Sequence, residues 1–247
     1  MSIKPSLTDI YIPVSSLAPS VPCFKAPAIP VQIDTITLKF DYTEASMNDI
    51  LHFLQFQSNM SITYKQTSKS ESIHSEIFIL SERASLKVMK HFKNKEIYLE
   101  FYGLYQYDPL TAKPLNALPL ALSLIKEIME VLPHINFLIN KVDINYDTLQ
   151  DIKLLTASLA RELKIKNKTQ HPTGVTYGTA KSRYKLIGYA KEAKDNIPKD
   201  INRVELTVRE KNRISIPIKN IKELERYLEI VKEDFKITLQ EGFKKCH

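Results

Sequence analysis

Residues Arg183–Arg209 read RYKLIGYAKEAKDNIPKDINRVELTVR, and this stretch decides the fold class. It is two strand-like runs joined by a polar loop. In the second run Val204, Leu206 and Val208 alternate with Arg203, Glu205, Thr207 and Arg209. Side chains alternate between faces along a strand, so the three apolar residues face a core and the four others share the opposite face. In the first run Leu186 lies on one face and Arg183, Lys185, Tyr189 and Lys191 on the other. Such a polar face is either a solvated sheet surface or the lining of a site, and the pattern alone leaves both open.

Working outward, the same alternation marks a strand at Phe137–Tyr146 and another in DTITLKFD from Asp34. Further strand-like runs span Ser61–Gln66, Ser72–Leu80, Ser85–Phe92, Glu96–Gly103 and Gly174–Gly178, with connections short enough for an antiparallel meander. Helical spacing appears after Ser46, a candidate cap, and over Leu120–Leu132, Thr148–Lys164 and Asn220–Leu239. Pro109–Pro119 and the basic stretch Lys164–His171 read as loops. The order predicts an α+β fold: a mainly antiparallel sheet with helices packed on it. The part from about residue 120 follows the logic of the part before it, as two related α/β halves would, although no sequence repeat accompanies this. Residues 1–33 form a proline-rich N-terminal arm, with six of the thirteen prolines, and 34–247 a single domain.

Composition narrows the function. With 35 Lys and Arg against 28 Asp and Glu the chain carries a formal charge of +7, a balance suited to a polyanionic partner. Two cysteines, Cys23 and Cys246, lack the spacing of a zinc site or a disulfide framework, which fits a reducing cytoplasm. No apolar run is long enough to span a membrane and no secretory signal is visible. Five glycines and no phosphate-cradling motif argue against a nucleotide-binding loop, and the six histidines have no metal-ligand spacing.

Three residues stand out for chemistry. In Lys141–Asp147, KVDINYD, one face of the strand carries Lys141, Asp143, Asn145 and Asp147. Oxygen donors at alternate positions suit Mg²⁺ or Mn²⁺. Asp147 is also explained as the cap of the helix expected from Thr148, an explanation that does not reach Asp143. Glu205 needs a partner inside a sheet, either Arg203, Arg209 or Lys191 in an ion pair, or a metal ion shared with Asp143. Tyr227 flanks the apolar seam of the last helix, as a boundary tyrosine or as a nucleophile whose phenol requires a proton acceptor.

These motifs, with Tyr177-Gly178, Lys181-Ser182, Tyr189-Ala190-Lys191-Glu192, Arg203-Val204-Glu205-Leu206 and the strand EFYGLYQYD (Glu100–Asp108), occur in an order that resembles the replication initiation factor family of rolling-circle plasmids and filamentous phages. The likeness covers roughly residues 35–240 and departs where glycine directly follows Tyr177 and where Ala190 replaces an acid. It implies an endonuclease that nicks and rejoins origin DNA, single-stranded or cruciform, through a tyrosine that becomes 5′-phosphotyrosyl. Tyr227 is the expected nucleophile and Tyr189 the substitute. Asp143 and Glu205 are the expected ligands of Mg²⁺ or Mn²⁺, Lys191 the catalytic cation, and Lys181, Arg183 and Arg203 the DNA contacts. A host helicase or polymerase and a homodimer complete the implied partners. The alternative is an origin- or DNA-binding protein of the same fold without chemistry.

Overall fold

A computed structural model of the chain describes residues 30–59, 62–191, 201–209 and 216–244. Most of the expected arm (1–29), Ser46 as a side chain, both cysteines and the loop 192–200 lie outside the described residues. The first part of the chain runs β1 (Val31–Asp41), α1 (Glu44–His52, continued by a π-helical turn at Phe53–Gln57), β2 (Thr63–Lys69), β3 (Ile73–Ile79), β4 (Ser85–His91) and β5 (Glu96–Tyr102). A small hairpin of β6 (Tyr105–Tyr107) and β7 (Pro114–Asn116) then leads into α2 (Leu118–Val131). The second part runs β8 (Phe137–Thr148), α3 (Ile152–Glu162), β9 (Lys168–His171), β10 (Gly174–Tyr177), β11 (Tyr184–Ala190), β12 (Asn202–Arg209), β13 (Ile216–Ile218) and α4 (Ile221–Lys244).

All the pairings are antiparallel, and the main sheet has the order β2-β3-β4-β5-β1-β8-β12-β11-β10-β9. That order is the same outward from either side of the central β1–β8 pair. Each part begins with the central strand, crosses by a helix to the sheet's edge, and returns strand by strand to pair with its own first strand. Two related halves, expected from element order, are therefore realised as a sheet with an approximate two-fold axis between β1 and β8.

Alternation decides which face is buried. Ile36, Leu38, Val142, Ile144, Val204, Leu206 and Val208 all point to the helical side and join one core with Leu224, Leu228, Val231 and Phe235 of α4. Each fully buried Leu or Phe contributes roughly 1.5–3 kcal/mol, which fixes the register of the strands that carry them. α3 lies close on β11 because Gly188 has no side chain. A Cβ there would stand 2.0 Å from Thr156 Oγ1 and 2.9 Å from Ile152 Cγ1. β8 continues through Thr148 and α3 begins only at Ile152, capped by the Asp151 carboxylate, which accepts from Lys153 N and Leu154 N. The expected cap at Asp147 is thus corrected: that residue is still inside the strand. Lys168–His171, expected as loop, forms the edge strand β9. No helix among the described residues is long and apolar enough to cross a membrane.

Candidate active site

The face of the sheet away from the helices carries the polar residues, in rows set by register. One row runs Asp147, Arg203, Tyr189, Gly174, His171 across β8, β12, β11, β10 and β9. The next holds Gln32, Asn145, Glu205, Ile187 and Thr176, and a third Thr35, Asp143, Thr207 and Lys185. Asp143 and Glu205 are therefore diagonal neighbours on adjacent strands, with Cα atoms about 7–8 Å apart. Tyr189 shares their face, and its hydroxyl donates to Glu205 Oε2 in a long hydrogen bond of 3.4 Å. Tyr189 and Glu205 line an open groove of ≈ 230 Å³ together with His171, Thr173 and Thr176.

Tyr227 is not brought to these groups. It is 3% exposed on α4, packed against Leu206 and Val208, on the opposite side of the sheet from Asp143 and Glu205. A residue beside the apolar seam of a helix packs with the apolar side of the strands, and the acids occupy the other side.

The Asp147 end of the face is covered by the β6–β7 hairpin. Arg203 is fully buried and holds Asp147 with two parallel bonds, Nε to Oδ1 at 2.6 Å and Nη2 to Oδ2 at 2.8 Å. Its Nη1 donates to Tyr105 O, and Tyr107 Oη donates to Asp147 Oδ2. Burial opposes the charge on Arg203, but Asp147, with Tyr189 and Asp34 behind it, raises the pKa above its ordinary value. Burial, then the Asp147 charge, pushes the Tyr107 phenol upward, so it remains a donor. Arg203, expected to contact DNA, is corrected to a structural cation: the hairpin seals it from solvent and Asp147 satisfies its fork.

Lys191 is also buried, and its Nζ donates to Gln106 Oε1 at 2.8 Å. Gln106 in turn donates to Asp34 Oδ1, which also accepts from Tyr105 N. Asp34 lies at a bulge in β1, and burial raises its pKa despite the lowering influence of Arg203, the Tyr105 amide and Lys191. Lys181 is exposed on the turn before β11, while Arg183, half-buried, reaches the helical side and lines a small cleft with Tyr227.

Three groups on the polar face lack what burial normally demands, one of them the Thr37 hydroxyl of β1, which has no partner among the described residues. Asn145 is 0% exposed, and neither its Nδ2 nor its Oδ1 has a partner among the described residues; the same is true of Asp143 Oδ1. Asp143 Oδ2 stands 3.2 Å from Lys141 Nζ, which also binds Glu100, and these two acids raise the Lys141 pKa against the opposing effect of burial. Asp143, Asn145 and Glu205 together offer hard oxygen donors on one face. Among the described residues no three His, Cys, Asp or Glu side chains gather closely enough to hold a metal by themselves.

No protein-family model matches the chain, and no curated protein matches it. Among the solved structures similar to the chain is one of low sequence identity. It is a rolling circle replication initiator protein from Geobacillus stearothermophilus, with a TM-score of 0.40 and 13% identity over 73% of this chain and 74% of that one. The roles of individual residues rest on this chain's own geometry.

Sequence spacing missed His171, whose neighbours on the groove come from other strands. Only Gly174 lies between it and Tyr189 in the row, and its Nε2 meets Thr176 Oγ1 at 3.1 Å.

Proposed function

We propose that the chain is a rolling-circle replication initiator that nicks and rejoins origin DNA, with Tyr189 rather than Tyr227 as its nucleophile. The observation that carries this is the Tyr189 hydroxyl bonded to Glu205 on the face that also bears Asp143 Oδ1 and the Asn145 amide, which have no partner among the described residues. The sequence resemblance to replication initiation factors supports it. Tyr189 Oη attacks the scissile phosphorus while Glu205 accepts the phenolic proton. The bond from phosphorus to the 3′ oxygen breaks, and that oxygen leaves as a 3′-hydroxyl after taking a proton from water. The 5′ end remains on Tyr189, and attack by a 3′-hydroxyl reverses the sequence. Mg²⁺ or Mn²⁺ bound at Asp143, Asn145 and Glu205 would supply Lewis-acid stabilisation of phosphate charge. Lys191, Gln106 and Asp34 hold the end of β11 on which Tyr189 sits, so Lys191 acts in positioning.

The test uses supercoiled DNA carrying the gene for this chain, incubated with the protein and Mn²⁺. Nicked circles and a covalent protein–DNA adduct are expected from wild type and from Tyr227→Phe, and neither from Tyr189→Phe. An adduct that survives in Tyr189→Phe and disappears in Tyr227→Phe places the nucleophile on α4. The concentration of positive charge on one end of the second half favours a second reading, an origin- or DNA-binding protein without chemistry. Salt-dependent binding with no nicking by wild type selects it.

A further inference from the structure

Charge is distributed very unevenly along this chain. Residues 161–185 contain Arg161, Lys164, Lys166, Lys168, Lys181, Arg183 and Lys185 against the single acid Glu162, a net +6 where the whole chain has +7. The fold gathers these residues at one end of the second half. Lys168 pairs with Tyr177 across β9 and β10, and Gly178 N donates to both Lys166 O and Asn167 O, tying the turn before β11 to the loop after α3. Gly178 is required for that contact: it has φ +86°, and a Cβ would stand 2.7 Å from Tyr184 O. The turn is closed by Ser182, whose Oγ accepts from Thr179 N and whose backbone N donates to Thr179 O.

This surface has two further features. Lys232, Lys236 and Lys244 on α4 each pair with a glutamate three residues earlier. Lys164, Lys166, Lys168 and Lys181 are exposed and make no ion pair with any described residue. In addition, Lys164 and Asn167 hold positive φ, 51° and 62°. Lys164 is the left-handed residue that ends α3, with Lys164 N bonded to Arg161 O and Ile165 N to Ala160 O, a position glycine fills at lower cost. Lys95, in the turn between β4 and β5, has a similar φ of 52°, so the clustering of cations rather than the backbone conformation singles this end out.

We infer that this basic end docks the phosphate backbone of the DNA flanking the strand held in the groove, supplying affinity but no chemistry. The inference rests on the nucleic-acid reading of the groove. Phosphate is the chemistry that unpaired lysines on two tied loops recognise, and the contact carries no base sequence. Position also follows. Lys185 lies on the groove face four residues before Tyr189, a run of about 13 Å along β11. At the rise of a duplex this is about four base steps from the nicked bond.

The experiment titrates wild type and a variant with Lys164→Gln, Lys166→Gln, Lys168→Gln and Lys181→Gln against two unrelated DNA sequences, each single-stranded and duplex, over a range of KCl. The logarithmic salt slope of the variant is expected to fall by about three to four, equally for both sequences. Adduct formation on a saturating single-stranded oligonucleotide is expected to stay at the wild-type rate. A single methylphosphonate about four steps from the nick should weaken wild type, with less effect on Lys185→Gln. Lys164→Gly separates charge from stability, with Tm unchanged or raised while DNA affinity falls. Unchanged slope and affinity in the variant overturn the docking surface and leave the groove's function standing. Absence of salt-dependent DNA binding by wild type, or binding to phosphatidylserine vesicles in its place, overturns both.

Discussion

The two halves of the sheet share a strand order and differ in how their polar faces are satisfied. In the first half the charges have partners: Lys39 binds Glu96 at 2.9 Å, Tyr98 donates to Glu96, and Glu100 is met at 2.9 Å by Lys141, which reaches across β1 from β8 of the second half. Burial raises the Tyr98 phenol's pKa and the Glu96 contact adds to it, while Lys39 and Tyr98 outweigh burial to lower that of Glu96. In the second half the face holds Asn145 and Asp143 Oδ1 with nothing to satisfy them among the described residues, beside a groove. Thr37 Oγ1 of β1 is also buried without a partner among the described residues, but only the second half leaves a carboxylate oxygen and an amide so. Glycine follows the same division. Strands β1 to β5 contain none, whereas Gly174 and Gly188 sit in β10 and β11 of the second half.

The contrast can be broken by mutation. The largest effect is expected at Arg203→Met, which leaves the partly buried Asp147 without its cation and removes a fully buried ion pair partner, and should cost about 3–5 kcal/mol by urea unfolding. Gly188→Ala drives a methyl into Thr156 and Ile152 and should cost about 1–3 kcal/mol. Lys39→Met, which opens the corresponding ion pair of the first half, should cost only about 0–1 kcal/mol because that pair is partly solvated. Equal losses at Arg203 and Lys39 would remove the distinction between the halves.

The smallest effect is one of pH. The raised pKa of Asp34 makes its contribution to stability full at acid pH, below its unfolded value, and lost as pH rises through the folded value. Asp34→Asn keeps an acceptor for Tyr105 N and Gln106 without titrating. Its stability relative to wild type should therefore increase between about pH 3.5 and 7, measured by urea midpoints. A difference independent of pH would show that burial does not raise the Asp34 pKa in the folded chain.

Much of this was legible in residue order. Alternation in β8 and β12 placed Asp143, Asn145 and Glu205 on one face, and the structure keeps them there. Alternation identifies a face but not what covers it, so Arg203 and Lys191 read as available cations although the β6–β7 hairpin encloses them. Asp147 and Asp151 are both plausible caps from local chemistry, and only pairing with Arg203 retains Asp147 in the strand. For Tyr227 the signal was present: its place beside Leu224 and Leu228 assigns it to the helical side with Val208. His171 gave no signal at all, because its proximity to Tyr189 arises across two strand pairings.

The central β1–β8 pair has a consequence for synthesis. Val31 pairs with Tyr146 and Lys39 with Leu138, so β1 waits for a strand made roughly a hundred residues later. The first half can close β5 onto one edge of β1 as soon as residue 102 has emerged. Its other edge, an eleven-residue strand bearing Ile33, Ile36, Leu38 and Phe40, stays open until β8 arrives. An unpaired apolar edge of that length is a template for another chain. Premature termination between α2 and β8 should therefore give an aggregating fragment rather than an independent half, and Asp143 enters the site with the strand that closes this edge.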